Sequence, residues 1–244
     1  MAETEYLIYE NRFAKKEDIE DFVLEGKADI TFENGCMRMK NALEASLGQM
    51  ANFVLWCPKE FPKDIRVEWE FRPLSDVGLC ILFFAAAGKG NRDLFDPSLA
   101  ERTGEYPQYH SGDINAFHVS YFRRKEPEER VFHTCNLRKS CGFYLVAQGA
   151  DPIPGVEDVV DFYRLAVIKK ENRIEFTINE MSIFTYMDDE VYQLAVTHSN
   201  ENPFKRYLEY LKELNELTDE QESFCQGFGK DFINLLENTS MSKV

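Results

Sequence analysis

Ile65–Pro73 reads IRVEWEFRP, and its alternation is almost without fault. Ile65, Val67, Trp69 and Phe71 point one way, and Arg66, Glu68, Glu70 and Arg72 the other, because successive strand side chains project to opposite faces. One apolar row and one charged row describe a strand that lies on a core with its other face in water. Outward from this segment, short runs of β character recur from Tyr6 to about Tyr186. Among them are Ile30–Phe32, Cys36–Met39, Phe53–Trp56, Leu79–Ala86, Ile114–Phe122, Tyr163–Lys169 and Arg173–Ile178. Asn34-Gly35 separates two of these, and both residues tolerate the positive φ that a two-residue hairpin turn requires. Many short strands with few helices between them predict a mainly β chain folded as an antiparallel sandwich or jelly roll.

A second stretch, Tyr109–Arg124 (YHSGDINAFHVSYFRR), breaks the simple pattern. As a strand, it would place Asp113, Asn115, Phe117, Val119, Tyr121 and Arg123 on one face. Ile114, Ala116, His118, Ser120, Phe122 and Arg124 would take the other. Neither set is the apolar row of a face that only fills a core, so the strand is expected to line a polar groove. The long loop Gly88–Tyr109, with Phe95 in it, directly precedes this strand and is expected to form a rim of the groove.

Composition narrows the function classes. The 244 residues are 44% apolar and 14% aromatic, enough for a substantial core. A formal charge of −15 argues against nucleic acid, whose phosphates demand a basic surface, and against anionic membrane surfaces. The N-terminus lacks the layout of a secretory signal, and the longest apolar run, Gly78–Gly88, is about half of a membrane span. A cytoplasmic location is the expectation. None of the six cysteines has C-x-x-C spacing; neither a structural metal nor a cofactor is expected. Asp93, Asp96 and Asp151 are scattered oxygen donors for calcium.

Several constellations carry possible chemistry. Asp113 is a lone carboxylate on its strand, and the two-carboxylate route to glycoside hydrolysis would need Glu68 or Glu70 from a neighbour. Those glutamates otherwise read as a solvated row. Tyr121 and Arg123, two apart, could serve a lyase in which the cation neutralises a uronate carboxylate. His110, His118 and His133 are candidate bases, and Arg138 with Lys139 could complete an anion site. Phe95, Tyr106, Tyr109 and Tyr144 could stack on sugar faces.

The runs Phe53–Pro58 (FVLWCP), Asp93–Leu99 (DLFDPSL), Tyr109–Arg124, Cys135–Ser140 (CNLRKS) and Gly149–Pro154 (GADPIP) resemble those of the YesU-like family of bacterial proteins. The resemblance covers roughly Tyr6 to Asp189. It implies a concanavalin-A-like or galectin-like β-sandwich and a setting in plant cell-wall sugar use, particularly rhamnogalacturonan. It supplies no mechanism. After Met187-Asp188-Asp189 the chain departs from the family's glycine-rich closing strands. Asn202-Pro203 instead starts a helical stripe of Phe204, Tyr207, Leu208, Leu211 and Leu214, and a second stripe follows from Phe224 to Leu236.

The expectation is therefore a sandwich over 1–189 and a helical extension over 190–244. Its function is expected to be cleavage of glycosidic bonds in pectic oligosaccharides, by a hydrolase or a lyase. Asp113, His118, Tyr121 and Arg123 would be catalytic, and Asn115, His110, Arg138, Glu68, Glu70 and Phe95 would bind substrate. The alternatives are a sugar-binding module without catalysis, or an inactive variant. The partner is an oligosaccharide in each active case, and the sequence does not specify an oligomeric state.

Overall fold

The computed structural model of the chain describes residues 5–188. The described residues divide into two units, one of residues 5–171 and Glu175–Thr185 and another that includes Asn172–Ile174 and residues 186–188. The helical stripes expected beyond residue 202 lie outside the described residues. Within the second unit, the Asp188 amide donates to the Asn172 carbonyl at 2.6 Å.

Twelve strands form among the described residues. They are β1 (Val23–Gly26), β2 (Ala28–Glu33), β3 (Cys36–Asn41), β4 (Phe53–Trp56), β5 (Ile65–Phe71) and β6 (Cys80–Gly88). After these come β7 (Ile114–Tyr121), β8 (Thr134–Ser140), β9 (Tyr144–Ala150), β10 (Tyr163–Lys170), β11 (Arg173–Ile178) and β12 (Met181–Met187). Two short helices, α1 (Tyr106–His110) and α2 (Pro127–Val131), flank β7 and β8. Two four-stranded sheets dominate, in the orders β12-β11-β10-β5 and β6-β7-β8-β9; β1-β4 and β2-β3 are two-stranded ribbons. The expected mainly β sandwich is the observed fold. Asn34 and Gly35, at φ 53° and 75°, form the hairpin turn between β2 and β3.

The alternation of Ile65–Phe71 is realised as read. Trp69 and Phe71 of β5 meet Tyr121 of β7 at ring-centroid distances of 5.7 and 5.1 Å, and Phe176 of β11 lies 6.3 Å from Tyr121. These contacts seal the two sheets face to face. Val119, Leu137, Leu165, Val167 and Phe176 are fully buried. Burying each large apolar side chain stabilises the fold by about 1.5–3 kcal/mol. Trp69 Nε1 donates to Tyr121 Oη at 3.2 Å, so the two polar atoms in this layer satisfy each other.

A second apolar cluster covers the other face of β6 and β7. Trp56, Tyr109 and Ile114 form its centre, with Val54, Phe83, Leu94, Phe95 and Leu99 packed against it. The loop Gly88–Tyr109 is thus held down rather than free. Asp113 Oδ2 accepts from the Ala100 amide at 3.1 Å, and the Lys89 amide donates to the Asp113 carbonyl at 2.8 Å. Where this loop passes β1, a Cβ on Gly104 would lie 2.2 Å from the Asn52 carbonyl oxygen, and one on Gly26 2.6 Å from the same atom. With φ of +98° and +85°, only glycine fits at this crossing.

A candidate carbohydrate-binding strip on the sheet face

Because β7 alternates, Tyr121 faces the second sheet and His118 faces away from it, towards α1. Tyr121 is expected among the catalytic residues on the sequence reading, but the structure places it in the layer between the sheets. Burial pushes its phenol well above the ordinary value, and it has no path to solvent chemistry. Replacing Tyr121 with phenylalanine is expected to cost about 1 kcal/mol, the net worth of the bond to Trp69. Ligand affinity should not change. A chemical-denaturation midpoint and a binding titration on the same sample check both halves.

The expected pairing of Tyr121 with Arg123 on one face also fails, for a local reason. Phe122 sits at φ 46°, out of the extended region, and its amide donates to Asp151 Oδ2 at 2.6 Å. This turn ends the alternation, and Arg123 swings to the side of Thr134. Its Nη1 donates to Thr134 Oγ1 at 2.8 Å, and its Nη2 donates to Glu129 Oε1 at 2.6 Å. Glu129 is fixed in turn because it closes the capping box of α2 with Glu126.

Residues paired across antiparallel strands share a face, so His118 stands beside Arg138, and Ser120 beside Asn136. Asn136 pairs onward with Gln148 of β9. A polar strip results: His118 and Arg138 at one end, then Ser120, Asn136 and Gln148, with Arg123 and Thr134 beyond; His118, Ser120 and Asn136 are buried, Arg138, Arg123 and Thr134 half-buried, and Gln148 exposed. Asn136 lies 2.7 Å from the Gln148 amide. With its own amide turned so that oxygen faces Arg123, it accepts from Arg123 Nη1 at 2.9 Å.

Helix α1 covers the His118 end. Tyr106 Oη lies 2.6 Å from His118 Nε2, and Ser140 Oγ lies 3.4 Å from Nδ1. A tautomer with its hydrogen on Nδ1 satisfies both contacts. Burial, reinforced by Arg138 and His110, lowers His118 to about 3, so it is neutral at physiological pH. Burial pushes the Tyr106 phenol up to about 12, against the pull of Arg138 and Arg123. An aromatic group surrounds them. The ring of His110 is 4.3 Å from Phe143 and 4.8 Å from Tyr106, and the Arg138 guanidinium lies 3.9 Å from the centre of the Phe143 ring.

Of the residues picked from the sequence, the structure brings together His118, His110 and Arg138, with Arg123 farther along the strip. Tyr106, picked as a stacking residue, also joins this group. Asp113, Asn115, Phe95, Tyr109, Glu68 and Glu70 lie elsewhere. Asp113 fastens the Gly88–Tyr109 loop, and Asn115 is exposed at the start of β7 with the parity of Tyr121. Phe95 is packed under the Trp56 cluster and offers no sugar platform. Tyr109 is fully buried, its hydroxyl donating to Glu25 Oε2 at 2.8 Å. Glu68 and Glu70 lie on the face of β5 opposite Trp69. Glu68 accepts from Arg66 Nη2 at 2.7 Å, and Glu70 borders a shallow depression of about 480 Å3 with Phe162, Arg164 and Asn179. The solvated reading of this charged row is the structural one, and no carboxylate pair forms with Asp113. Asp93 and Asp96 accept bonds from the amides of Phe95 and Ser98, and Asp151 from those of Phe122 and Ile153. Among the described residues, no cluster of three metal-ligating side chains occurs.

Sequence reasoning overlooked Asn136, Gln148, Ser140 and Phe143. The signal was faint. CNLRKS alternates as a strand, with Asn136 and Arg138 on one face, but its charges read as a solvated run. No helix among the described residues is long and apolar enough to cross a membrane.

A family model described as a domain of unknown function, DUF1961, matches residues 6–211. The Bacillus subtilis (strain 168) protein described as "Uncharacterized protein YesU" is 50% identical over 182 residues, which cover 75% of this chain and 80% of that protein. A crystal structure from Bacillus subtilis, described as a protein of unknown function with a galectin-like fold, is 47% identical with a TM-score of 0.72. The alignment covers 78% of this chain and 84% of that one. The resemblance read from the sequence motifs therefore holds, and the sandwich is galectin-like.

Proposed function

This chain belongs to the DUF1961 family, and from that premise and the polar strip on β7, β8 and β9 we propose that it binds an oligosaccharide across this sheet face. The observation that carries the reading is the pair Arg138 and Gln148 at the accessible edge of this row, backed by buried His118 and Asn136 and bordered by the rings of Tyr106, His110 and Phe143. Planar amide, imidazole and guanidinium groups suit sugar hydroxyls, which both donate and accept. Aromatic rings suit the apolar C–H faces of pyranoses. Fixing these groups before the ligand arrives lowers the ordering cost of binding.

Binding is favoured over cleavage by the energetics of the one short contact suited to proton transfer. Burial raises the Tyr106 phenol and lowers the His118 imidazole, so the neutral form of each is favoured and transfer of the proton between them is uphill. The pair is a rigid neutral scaffold. The pectic oligosaccharides expected from the family resemblance are the first ligands to test. Calorimetric titration with pectic and neutral oligosaccharides should give saturable binding, and Gln148→Ala, at an exposed position of the row, should weaken it roughly ten-fold. Wild-type protein incubated with the same sugars should release neither reducing ends nor unsaturated-uronate absorbance. Product formation would replace the binding reading with cleavage.

A further inference from the structure

We infer that Arg138 is the receptor for a carboxylate on the bound sugar, so that the ligand is an acidic saccharide with a uronate unit seated at the His118 end of the strip; the inference rests on the carbohydrate-binding reading above. Charge is the starting point. The protein carries 43 acidic residues against 28 lysines and arginines, and guanidinium groups in such a chain readily find carboxylates. Arg102 is paired with Glu25, Arg123 with Glu129, and Arg66 with Glu68. Arg138 has no carboxylate within ion-pair distance among the described residues. Its one protein hydrogen bond runs from Nη1 to the Phe143 carbonyl at 2.9 Å.

Among the described residues, the remaining guanidinium hydrogens, on Nε, Nη2 and the second position of Nη1, have no protein acceptor. The group is half-buried on the Phe143 ring, so it is held in one plane. Leaving a cation partly desolvated without a counter-charge is unfavourable for folding alone. A planar carboxylate meeting that fork bidentately offsets the cost and adds directional specificity. Among the described residues the groups around Arg138 are not anionic: His118 and His110 are both kept towards their neutral forms, and Tyr106 stays a phenol. His118 is buried and satisfied by Tyr106 and Ser140, so the half-buried His110 is the imidazole placed to bond a ring hydroxyl beside the carboxylate.

The test uses the full chain and two probes, a galacturonate trimer and its fully methyl-esterified counterpart, in calorimetric titrations at low salt. Wild type is expected to bind the acid at least roughly ten-fold more tightly than the ester. Arg138→Gln should lower affinity for the acid by roughly ten-fold and affinity for the ester by much less, so that the preference disappears. Arg138→Lys, which keeps the charge but not the fork, should retain part of it. A thermal melt near the wild-type value confirms that each variant is folded. Equal wild-type affinity for acid and ester, or an undiminished preference in Arg138→Gln, would overturn the inference and leave carbohydrate binding standing. Failure of both probes to bind wild type would remove the carbohydrate reading and the inference together.

Discussion

Replacing Arg102 with methionine is expected to destabilise the protein by about 3–5 kcal/mol, the cost of stripping one partner from a buried ion pair. Arg102 and Glu25 have side chains only 8% and 9% exposed. The guanidinium meets the carboxylate through Nε at 3.0 Å and Nη2 at 2.7 Å, and Nη2 also donates to the Leu94 carbonyl at 3.0 Å. Tyr109 adds a bond to Glu25 and accepts one from the Gly104 amide at 3.1 Å. This cluster ties β1, the Gly88–Tyr109 loop and the last turn of α1 where Gly26 and Gly104 pass in near contact. Without Arg102 the carboxylate stays buried with only a phenol to solvate it. A double variant, Glu25→Leu with Arg102→Met, should recover much of the loss, since well-packed apolar replacement of a buried pair is often neutral. Urea denaturation of both variants measures the difference. A single-variant loss below about 1 kcal/mol would show that water reaches the pair and that the crossing is held by packing alone.

The contrast between Glu25–Arg102 and Ile65–Phe71 shows what the sequence made legible. Strand alternation is a local property with a period of two, so IRVEWEF announced both its core row and its solvated row, and the structure has both. The Asn34-Gly35 turn was equally local. Strands β1, β9 and β12 lie outside the runs singled out from the sequence, because polar or glycine residues interrupt their apolar rows, and β8 reads as a charge run and not as a strand. Glu25 and Arg102 are separated by 77 positions, and nothing in either neighbourhood marks them as partners. The site was half legible for the same reason. His118 stood out as a polar residue within a strand, and it does lie on the strip. Tyr121 and Arg123 were placed together by counting in twos, and the left-handed Phe122 broke the count. Tyr106 was noted as a possible sugar platform, but its bond to His118 depends on how α1 sits over β7.

Lowering the pH from 7 to 5 is expected to cost the wild-type protein about 2 kcal/mol through His118 alone. In the folded state burial holds this imidazole at about 3, whereas the unfolded chain has the ordinary value near 6.5. The folded pKa is the lower one, so the unfolded state binds more protons throughout the interval between them. The stabilisation is fully present above 6.5 and falls by about 1.4 kcal/mol per pH unit until the folded histidine itself titrates. His110, also lowered by burial and by Arg138, acts in the same direction. Asp151 acts oppositely: burial raises its carboxyl, so its contribution improves as acid protonates it, at the lower end of the range. His118→Gln keeps an acceptor for Tyr106 but cannot titrate. It should be less stable than wild type at pH 7, with the gap narrowing by about 2 kcal/mol at pH 5. Denaturation midpoints across that range provide the measurement, and two parallel curves would show that His118 is as free to protonate in the folded protein as in the unfolded chain. The same neutrality links stability to recognition. A charged imidazole beside Arg138 would strengthen the pull on a carboxylate, so any loss of acidic-sugar affinity between pH 7 and 5 must come from unfolding or from protonation of the sugar, and His118→Gln separates the two.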